Sequence, residues 1–242
     1  MPSLETDTPT THLSGGDFAL DVVTPTGAAW KAVPFQALHQ LPFATVGRLE
    51  LYDQGGLFGA GTAWLAGHAT AVTAAHNFRP PGGGAIKQVR LLFPTLTQAI
   101  VAQDARIHPQ YRGMGAIADP WDVACVRLQP LNLPLLAIND PGPPAALSAY
   151  VTGFPNGQSN LVSHTAKAFR AHDTLMVHSI DTATGHSGAP MILVGAPASA
   201  IAIHVGGFAS NPFAAKFPSA NTALPLRPAL VAFIQQHIDQ WG

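Results

Sequence analysis

Glycine and proline divide this chain into short segments, and that punctuation limits the secondary structure it can form. Among its 242 residues are 23 glycines and 22 prolines, spread along the sequence. Both residue types disfavour helix interiors and favour turns. Between them lie short apolar or alternating runs of the length typical of strands. The pattern therefore predicts an all-β fold with frequent turns.

About a dozen short strands are predicted, and such a set is typical of a β-sandwich or a β-barrel. The first group precedes a proline-rich stretch, residues 129–144, which has the composition of a linker between two halves. The second group follows it. The predicted strands are residues 45–52, 61–66, 70–73, 87–93, 102–107 and 123–128, and then 146–152, 163–171, 174–180, 190–194 and 200–205.

One helix is predicted, at the end of the chain, where apolar residues recur at helical spacing and Pro228 fits the first turn. The residues on its apolar face are Leu230, Phe233, Ile234, His237, Ile238 and Trp241. We therefore expect the following order: a flexible arm or pro-segment at 1–30, a first β-domain at 31–128, the linker at 129–144, a second β-domain at 145–227, and the helix at 228–242.

Charge and cysteine content exclude several classes of protein. Charged residues make up 10% of the chain, against roughly 25% in an average domain, and the net charge is −1. This excludes a polybasic nucleic-acid binder. The single cysteine, Cys125, excludes an internal disulfide framework and a multi-cysteine zinc site. The uncharged stretch 182–215 is interrupted by prolines and glycines, so we interpret it as buried strands and expect no membrane span.

Three segments carry candidate catalytic chemistry. His76 ends an apolar strand as the last residue of Thr-Ala-Ala-His, and Asp122 opens another apolar strand. Ser187 lies between glycines in Gly-His-Ser-Gly-Ala-Pro, before a further strand. Each motif alone is weak, but all three lie at strand edges and are divided between the two predicted halves. Asp119 competes with Asp122 for the carboxylate role, although it precedes a proline and is typical of a turn residue.

These residue types match the needs of nucleophilic catalysis. A serine hydroxyl is a poor nucleophile until a hydrogen-bonded base removes its proton, and histidine titrates in the right range for that task. A buried carboxylate holds the imidazole in one tautomer and stabilises the imidazolium. Backbone amides must stabilise the oxyanion, and glycine permits the tight turn that directs them. We expect His76, Asp122 and Ser187 to form a triad, with the amides of Gly185 and Ser187 as the oxyanion hole.

The three segments, residues 73–76, 122–124 and 185–190, resemble the signatures of the chymotrypsin-like (trypsin-like) serine proteases. The resemblance covers roughly residues 42–241. It implies two perpendicular six-stranded antiparallel β-barrels, with the active site in the cleft between them, and a C-terminal α-helix. It also implies a serine endopeptidase that needs no cofactor or metal.

Two further stretches resemble the bacterial glutamyl endopeptidases, the V8-like branch of this family. They are residues 201–207, Ile-Ala-Ile-His-Val-Gly-Gly, and residues 153–155, Gly-Phe-Pro. The resemblance implies that Thr182 and His204 line the pocket for an acidic (Glu) side chain before the scissile bond. In that branch a freed N-terminal amine adds positive charge near the pocket. Here residues 1–30 precede the first barrel, so either processing is required or that element is absent.

Other interpretations stay open at this stage. His186 stands where the animal enzymes carry Asp, and it can line the pocket entrance or be simply exposed. The alternative function is a latent or inactive protease-fold binding module, gated by the N-terminal arm, whose cleft recognises a partner. The expected partners are a protein or peptide substrate and, left open, an activating protease or regulatory partner; we expect no nucleic acid and no membrane. No signal peptide is visible, so the chain is expected to be cytoplasmic as written, or secreted if a leader was removed.

Overall fold

A computed structural model describes residues 30–79, 84–113, 118–140, 142, 146–195, 197–207, 211–212 and 219–242. The predicted N-terminal arm, apart from Trp30, lies outside the described residues. Fifteen strands and one α-helix, α1 (Pro228–Trp241), occur in the described part. The strands are β1 (Lys31–Ala32), β2 (Val46–Tyr52), β3 (Leu57–Gly67), β4 (Thr70–Thr73), β5 (Gln88–Leu92), β6 (Ile100–Val101), β7 (Asp104–Ile107), β8 (Ala124–Arg127), β9 (Ala137–Ile138), β10 (Ala146–Gly153), β11 (Val162–His172), β12 (Leu175–His178), β13 (Pro190–Leu193), β14 (Ser199–Gly206) and β15 (Asn221–Pro225).

The C-terminal half forms a closed barrel of six antiparallel strands. Its strands follow the order β11-β10-β13-β14-β15-β12, and β12 pairs again with β11 to close the ring. Two short strands extend it, because β1 pairs with β11 and β9 pairs in parallel with β14. Strand β9 lies inside the proline-rich stretch, so this predicted linker also contributes to the second sheet.

The N-terminal half forms a curled sheet with the strand order β6-β5-β2-β3-β4-β8-β7. The two edge strands, β6 and β7, follow each other in the chain, and the strand predicted at residues 102–107 covers only the second of them. The Ala102 amide donates to the Val89 carbonyl of β5, whereas the next amide, of Gln103, donates to the carbonyl of Arg127, the last residue of β8. The chain therefore changes partner at this point and brings the two edges of the sheet together.

Three apolar clusters hold these layers together. One lies within the first sheet and includes Leu49 and Leu91, and another lies within the second and includes Met176 and Met191. The largest lies between the sheets and the helix, and its members include Trp64, Val123, Phe154, Ile192, Ile203, Leu224, Leu230 and Ile234. This shared cluster packs the two halves against each other. The candidate catalytic segments lie where the halves meet.

Helix α1 confirms the prediction made from its spacing. It begins at Pro228, whose missing amide hydrogen costs nothing in the first turn, and it ends at Trp241. Its buried residues are Leu230, Phe233, Ile234, His237 and Trp241, all from the predicted face.

The all-β architecture of two barrel-like halves and a C-terminal helix is confirmed. Four strands were not predicted: β1, β6, β9 and β15. The last pairs with both β12 and β14 and so closes the second barrel. Among the described residues, no helix has the length and apolar character needed to cross a membrane.

Candidate active site

His76 is held at the end of β4 by a short 3-10 turn, Ala75–Phe78. Ala74 and Ala75 are fully buried, so only small side chains fit where the strand enters the turn. The His76 carbonyl accepts a hydrogen bond from the Arg79 amide at 3.1 Å. The turn thereby ends the strand at His76, whose imidazole meets Asp122.

Asp122 contacts His76 through both carboxylate oxygens. Its Oδ1 accepts from the His76 backbone amide at 2.8 Å, and its Oδ2 lies 2.6 Å from the His76 Nδ1. Asp122 is 3% exposed. Because an ionised carboxylate can only accept, Nδ1 carries the proton, and in the neutral ring Nε2 keeps its lone pair.

Asp119, the competing carboxylate, has a different role. Its Oδ1 accepts from the Trp121 amide at 2.9 Å, and its Oδ2 accepts from the Arg112 amide at 2.8 Å. Its backbone carbonyl accepts from the Asp122 amide at 3.2 Å. Asp119 therefore shapes the turn that presents Asp122, and it is Asp122 that meets the imidazole.

Ser187 lies between two successive tight turns. The His186 amide donates to the Ala183 carbonyl at 3.0 Å, and the Ala189 amide donates to the His186 carbonyl at 2.8 Å. The third residue of each turn is a glycine with positive φ: Gly185 at 98° and Gly188 at 88°. Positive φ at this position defines a type II turn and explains why both positions require glycine.

The backbone of Ser187 is hydrogen-bonded to the first half of the chain, beside His76. Its carbonyl accepts from the Thr62 amide at 2.9 Å and from the Asn77 Nδ2 at 3.1 Å. A Cβ on Gly188 would collide with the Thr73 Oγ1, so the turn packs tightly against the end of β4. The serine backbone and the His76–Asp122 pair are thus brought together across the two halves.

The peptide that precedes Gly185 has a defined orientation. The Thr184 carbonyl accepts from the Asn156 amide. Because carbonyl and amide point in opposite directions across a trans peptide, the Gly185 N–H faces away from Asn156. Among the described residues, neither the Gly185 amide nor the Ser187 amide donates a hydrogen bond. Both donors are therefore available to an acceptor outside the backbone.

The loop that carries Asn156 is braced from the first sheet. The Arg48 Nη1 donates to the Gly157 carbonyl at 2.8 Å, while Nη2 pairs with the Glu50 carboxylate. The Tyr52 hydroxyl donates to the other Glu50 oxygen at 2.8 Å, and this bond is the main reason that the pKa of Tyr52 is raised. This ion pair holds the loop beneath the Gly185 turn.

The two residues expected in the pocket, Thr182 and His204, are both fully buried in the second barrel. The Thr182 Oγ1 accepts from the Asn221 Nδ2 at 2.9 Å. The His204 Nδ1 lies 3.1 Å from the His178 Nε2. His178 and Asn221 are direct cross-strand partners in β12 and β15, so one pair of strands buttresses both residues.

His178 and Asn221 were not singled out from the sequence as site residues. The only signal for His178 was the recurrence of histidines along the second half, and Asn221 lies in a strand that was not predicted. Burial, and then the neighbouring His204, hold the pKa of His178 well below its usual value.

Among the described residues, no group of three or more His, Cys, Asp or Glu side chains could hold a metal ion.

His186 is 1% exposed, so the exposed interpretation of this residue is wrong. Its Nδ1 lies 3.0 Å from the Ala183 amide, and the ring braces its own turn. Its ring centroid lies 5.6 Å from that of Trp30 and 6.4 Å from that of His204. His186 therefore connects the start of the described chain to the nucleophile turn.

Comparison with known proteins agrees with this arrangement. No curated protein sequence matches the chain significantly. A solved structure described as a Glu endopeptidase in complex with MPD superposes with a TM-score of 0.71 at 16% identity, covering 89% of this chain and 99% of that one. A thermostable serine protease, AL20, from an extremophilic microorganism superposes with a TM-score of 0.63 at 14% identity, covering 81% and 97%. A family model described as a trypsin-like peptidase domain matches residues 61–195, more than half of the sequence. The chain thus belongs to the family of trypsin-like peptidase domains and has the chymotrypsin-like serine protease fold.

Proposed function

We propose that the chain is a serine endopeptidase that hydrolyses peptide bonds through an acyl-enzyme on Ser187. His76 acts first as general base and then as general acid, and Asp122 orients it. The amides of Gly185 and Ser187 bind the oxyanion. The substrates of a peptidase fold are proteins or peptides, and these steps use only side chains and backbone of this chain.

Two sets of hydrogen bonds carry this proposal: one orients the His76 ring, and the other holds the Ser187 backbone beside it. Asp122 binds both the backbone and the ring of His76, which leaves Nε2 as the basic nitrogen. The Ser187 carbonyl is bound by the Thr62 amide and by Asn77, the residue that follows His76. The segment His76–Asn77 therefore carries the base and is also hydrogen-bonded to the backbone of Ser187.

The chemistry follows from these groups. The Ser187 Oγ attacks the scissile carbonyl carbon while the His76 Nε2 takes the hydroxyl proton. The carbonyl oxygen becomes an oxyanion that accepts from the two amides, and loss of one such donor lowers rates by roughly 10²–10³ in a comparable enzyme. His76 then gives the proton to the leaving amine. In the second half-reaction His76 takes a proton from water, which attacks the acyl-enzyme ester, and then returns the proton to the Ser187 Oγ as the acid product leaves.

For the residue before the scissile bond, we propose a preference for an acidic side chain, Glu above all. A carboxylate that enters a pocket loses hydration and needs donors in return. A Thr182 hydroxyl and a His204 ring nitrogen can supply two. The low pKa of His178 keeps that ring neutral, so its Nε2–H can donate to the Nδ1 of His204, 3.1 Å away. In this tautomer the Nε2 of His204 carries the N–H that serves as a donor for the substrate carboxylate.

A matched series of fluorogenic peptides with Glu, Asp, Gln, Ala, Phe or Arg before the cleaved bond tests the acidic preference. We expect Glu to give the highest kcat/KM, and His204→Gln to lower the Glu value more than the Ala value. Equal cleavage of Gln and Glu, or a maximum at Arg, would refute an acid-selective pocket. A serine-directed phosphonate should label Ser187 in wild-type protein and leave Ser187→Ala unlabelled.

The alternative of a latent protease-fold module rests on one contact, that of Trp30 with His186. Trp30, the first described residue, therefore lies beside the nucleophile turn. The test compares the kcat/KM of the full chain with that of a shortened chain beginning at residue 30. A large gain on shortening indicates latency, equal activity excludes it, and inactivity of both forms indicates a binding module.

A further inference from the structure

Thr62, in the middle of β3, hydrogen-bonds to both sides of the nucleophile turn. Its amide donates to the Ser187 carbonyl at 2.9 Å, and its hydroxyl donates to the Gly185 carbonyl at 2.7 Å. The same hydroxyl accepts from the Phe154 amide at 3.1 Å, and the Thr62 carbonyl accepts from the Thr73 hydroxyl at 2.7 Å. Thr62 is fully buried.

The Thr62 hydroxyl donates in one of its two contacts and accepts in the other. A hydroxyl has one hydrogen to donate and lone pairs to accept with. Here the hydrogen goes to a carbonyl and a lone pair receives an amide hydrogen. A side chain of the same shape without oxygen would leave a buried carbonyl and a buried amide unpaired, and such groups are costly.

These bonds determine how the peptides on each side of Gly185 are oriented. Thr62 holds the carbonyl of the peptide that follows Gly185, while the Asn156 amide holds the carbonyl of the peptide that precedes it. Glycine accepts many backbone conformations, and Gly185 already has a φ of 98°. Local sequence alone therefore does not orient the Gly185 N–H, and long-range hydrogen bonds must do so.

We propose that Thr62 is a positioning residue for the oxyanion hole: by holding the carbonyls of Gly185 and Ser187, it sets the backbone conformation of these two residues and thereby the orientation of their amides that the tetrahedral intermediate requires. This inference rests on the function proposed above. Thr62 belongs to the first sheet and the turn to the second. The oxyanion hole is therefore competent only when the two halves are docked, and Thr62 couples that docking to catalysis.

The test compares Thr62→Val, which keeps the shape and loses the hydroxyl, with Thr62→Ser, which keeps the hydroxyl. Oxyanion donors act mainly in the transition state, so we expect the valine variant to lower kcat by about 10²-fold with little change in KM. The serine variant should recover most of the kcat. The affinity for a peptide aldehyde, which forms a tetrahedral adduct with serine, should fall in parallel with kcat, whereas the affinity for the product peptide should not change.

Thr45→Val is the matched control. Thr45 is also fully buried, and its hydroxyl donates to the Pro42 carbonyl at 2.6 Å, away from the nucleophile turn. We expect this variant to keep the wild-type kcat even if it loses stability. If the valine variant at position 62 does not fold, Thr62→Cys replaces it, because a thiol is a weak donor in the same space; its kcat should fall about tenfold.

Three results would overturn the proposal. The first is a folded Thr62→Val, or a Thr62→Cys used in its place, with wild-type kcat. The second is an equal loss of affinity for the aldehyde and for the product peptide, which would indicate a general structural role. The third is a wild-type chain that neither cleaves peptides nor reacts with the phosphonate, because this removes the proposed function itself. The wild-type measurement distinguishes that failure from the other two.

Discussion

Replacement of Asp122 by asparagine tests the proposed triad most directly. Asparagine keeps the size of the side chain but has only one oxygen. That oxygen is needed by the His76 backbone amide, which is 2.8 Å away and can only donate. The new NH₂ group then faces the Nδ1, which is 2.6 Å from the present carboxylate. Because NH₂ also donates, Nδ1 must become the acceptor, and the proton of the ring moves to Nε2.

The imidazole of Asp122→Asn is therefore held in the tautomer that cannot take a proton from Ser187. In a serine protease triad the same change lowers kcat by about 10⁴, which corresponds to about 5.4 kcal/mol of transition-state stabilisation. We expect a loss of this size with KM nearly unchanged, measured with the best fluorogenic peptide at neutral pH. Circular dichroism and thermal melting would establish that the variant is folded.

Asp119→Asn is the matched comparison, because the sequence offers Asp119 as the competing carboxylate. It should weaken the turn around Trp121 and lower kcat by less than about tenfold, since its oxygens contact backbone amides and not the imidazole. A folded Asp122→Asn with kcat within tenfold of wild type, or a larger loss at Asp119 than at Asp122, would refute the assignment of the carboxylate.

Three further predictions concern stability. Arg48→Met should lower the free energy of unfolding by about 3 kcal/mol, because it leaves the buried Glu50 carboxylate without its cation; denaturant titration of this variant and of the double variant with Glu50→Gln measures the pair. Leu230→Ala should cost about 2–5 kcal/mol by the same assay, since Leu230 is fully buried between the sheets and α1. Burial and the neighbouring His204 lower the pKa of His178, so only the unfolded chain protonates this residue near pH 6.5. The stability that the neutral His178 contributes is therefore complete above about pH 6.5 and is lost as the pH falls, by up to about 1.4 kcal/mol per pH unit. His178→Asn should make the free energy of unfolding less dependent on pH, as measured by urea titrations between about pH 7.5 and 5.5.

Short-range patterns in the sequence were sufficient for most of the fold. The run at residues 70–73 was predicted with the bounds that β4 has, and the apolar spacing after Pro228 predicted α1 and its buried face. Both cases depend on side-chain periodicity, which is a local property. Strand β15, Asn221–Pro225, was missed because a polar start and a terminal proline are typical of a turn. It is a strand because β12 and β14 both pair with it.

The candidate site divides in the same way. The residue types of the three motifs indicate nucleophilic catalysis, and the glycines around Ser187 indicate the two tight turns. The choice between Asp119 and Asp122 was argued from the proline after Asp119, and the contacts place Asp122 against the imidazole. The burial of His186 and the support of His204 by His178 had no comparable local signal, since both depend on which strands lie side by side.

The sequence by itself determined the all-β class, the terminal helix and the candidate nucleophile, base and carboxylate, because each depends on the chemistry or spacing of residues close together in the chain. The tertiary structure alone decided how the two halves meet. Thr62 and Gly185, 123 residues apart, share a hydrogen bond only because the registers of both sheets place them there. Such a contact depends on the pairing of many strands at once, and no short segment of the sequence carries that information.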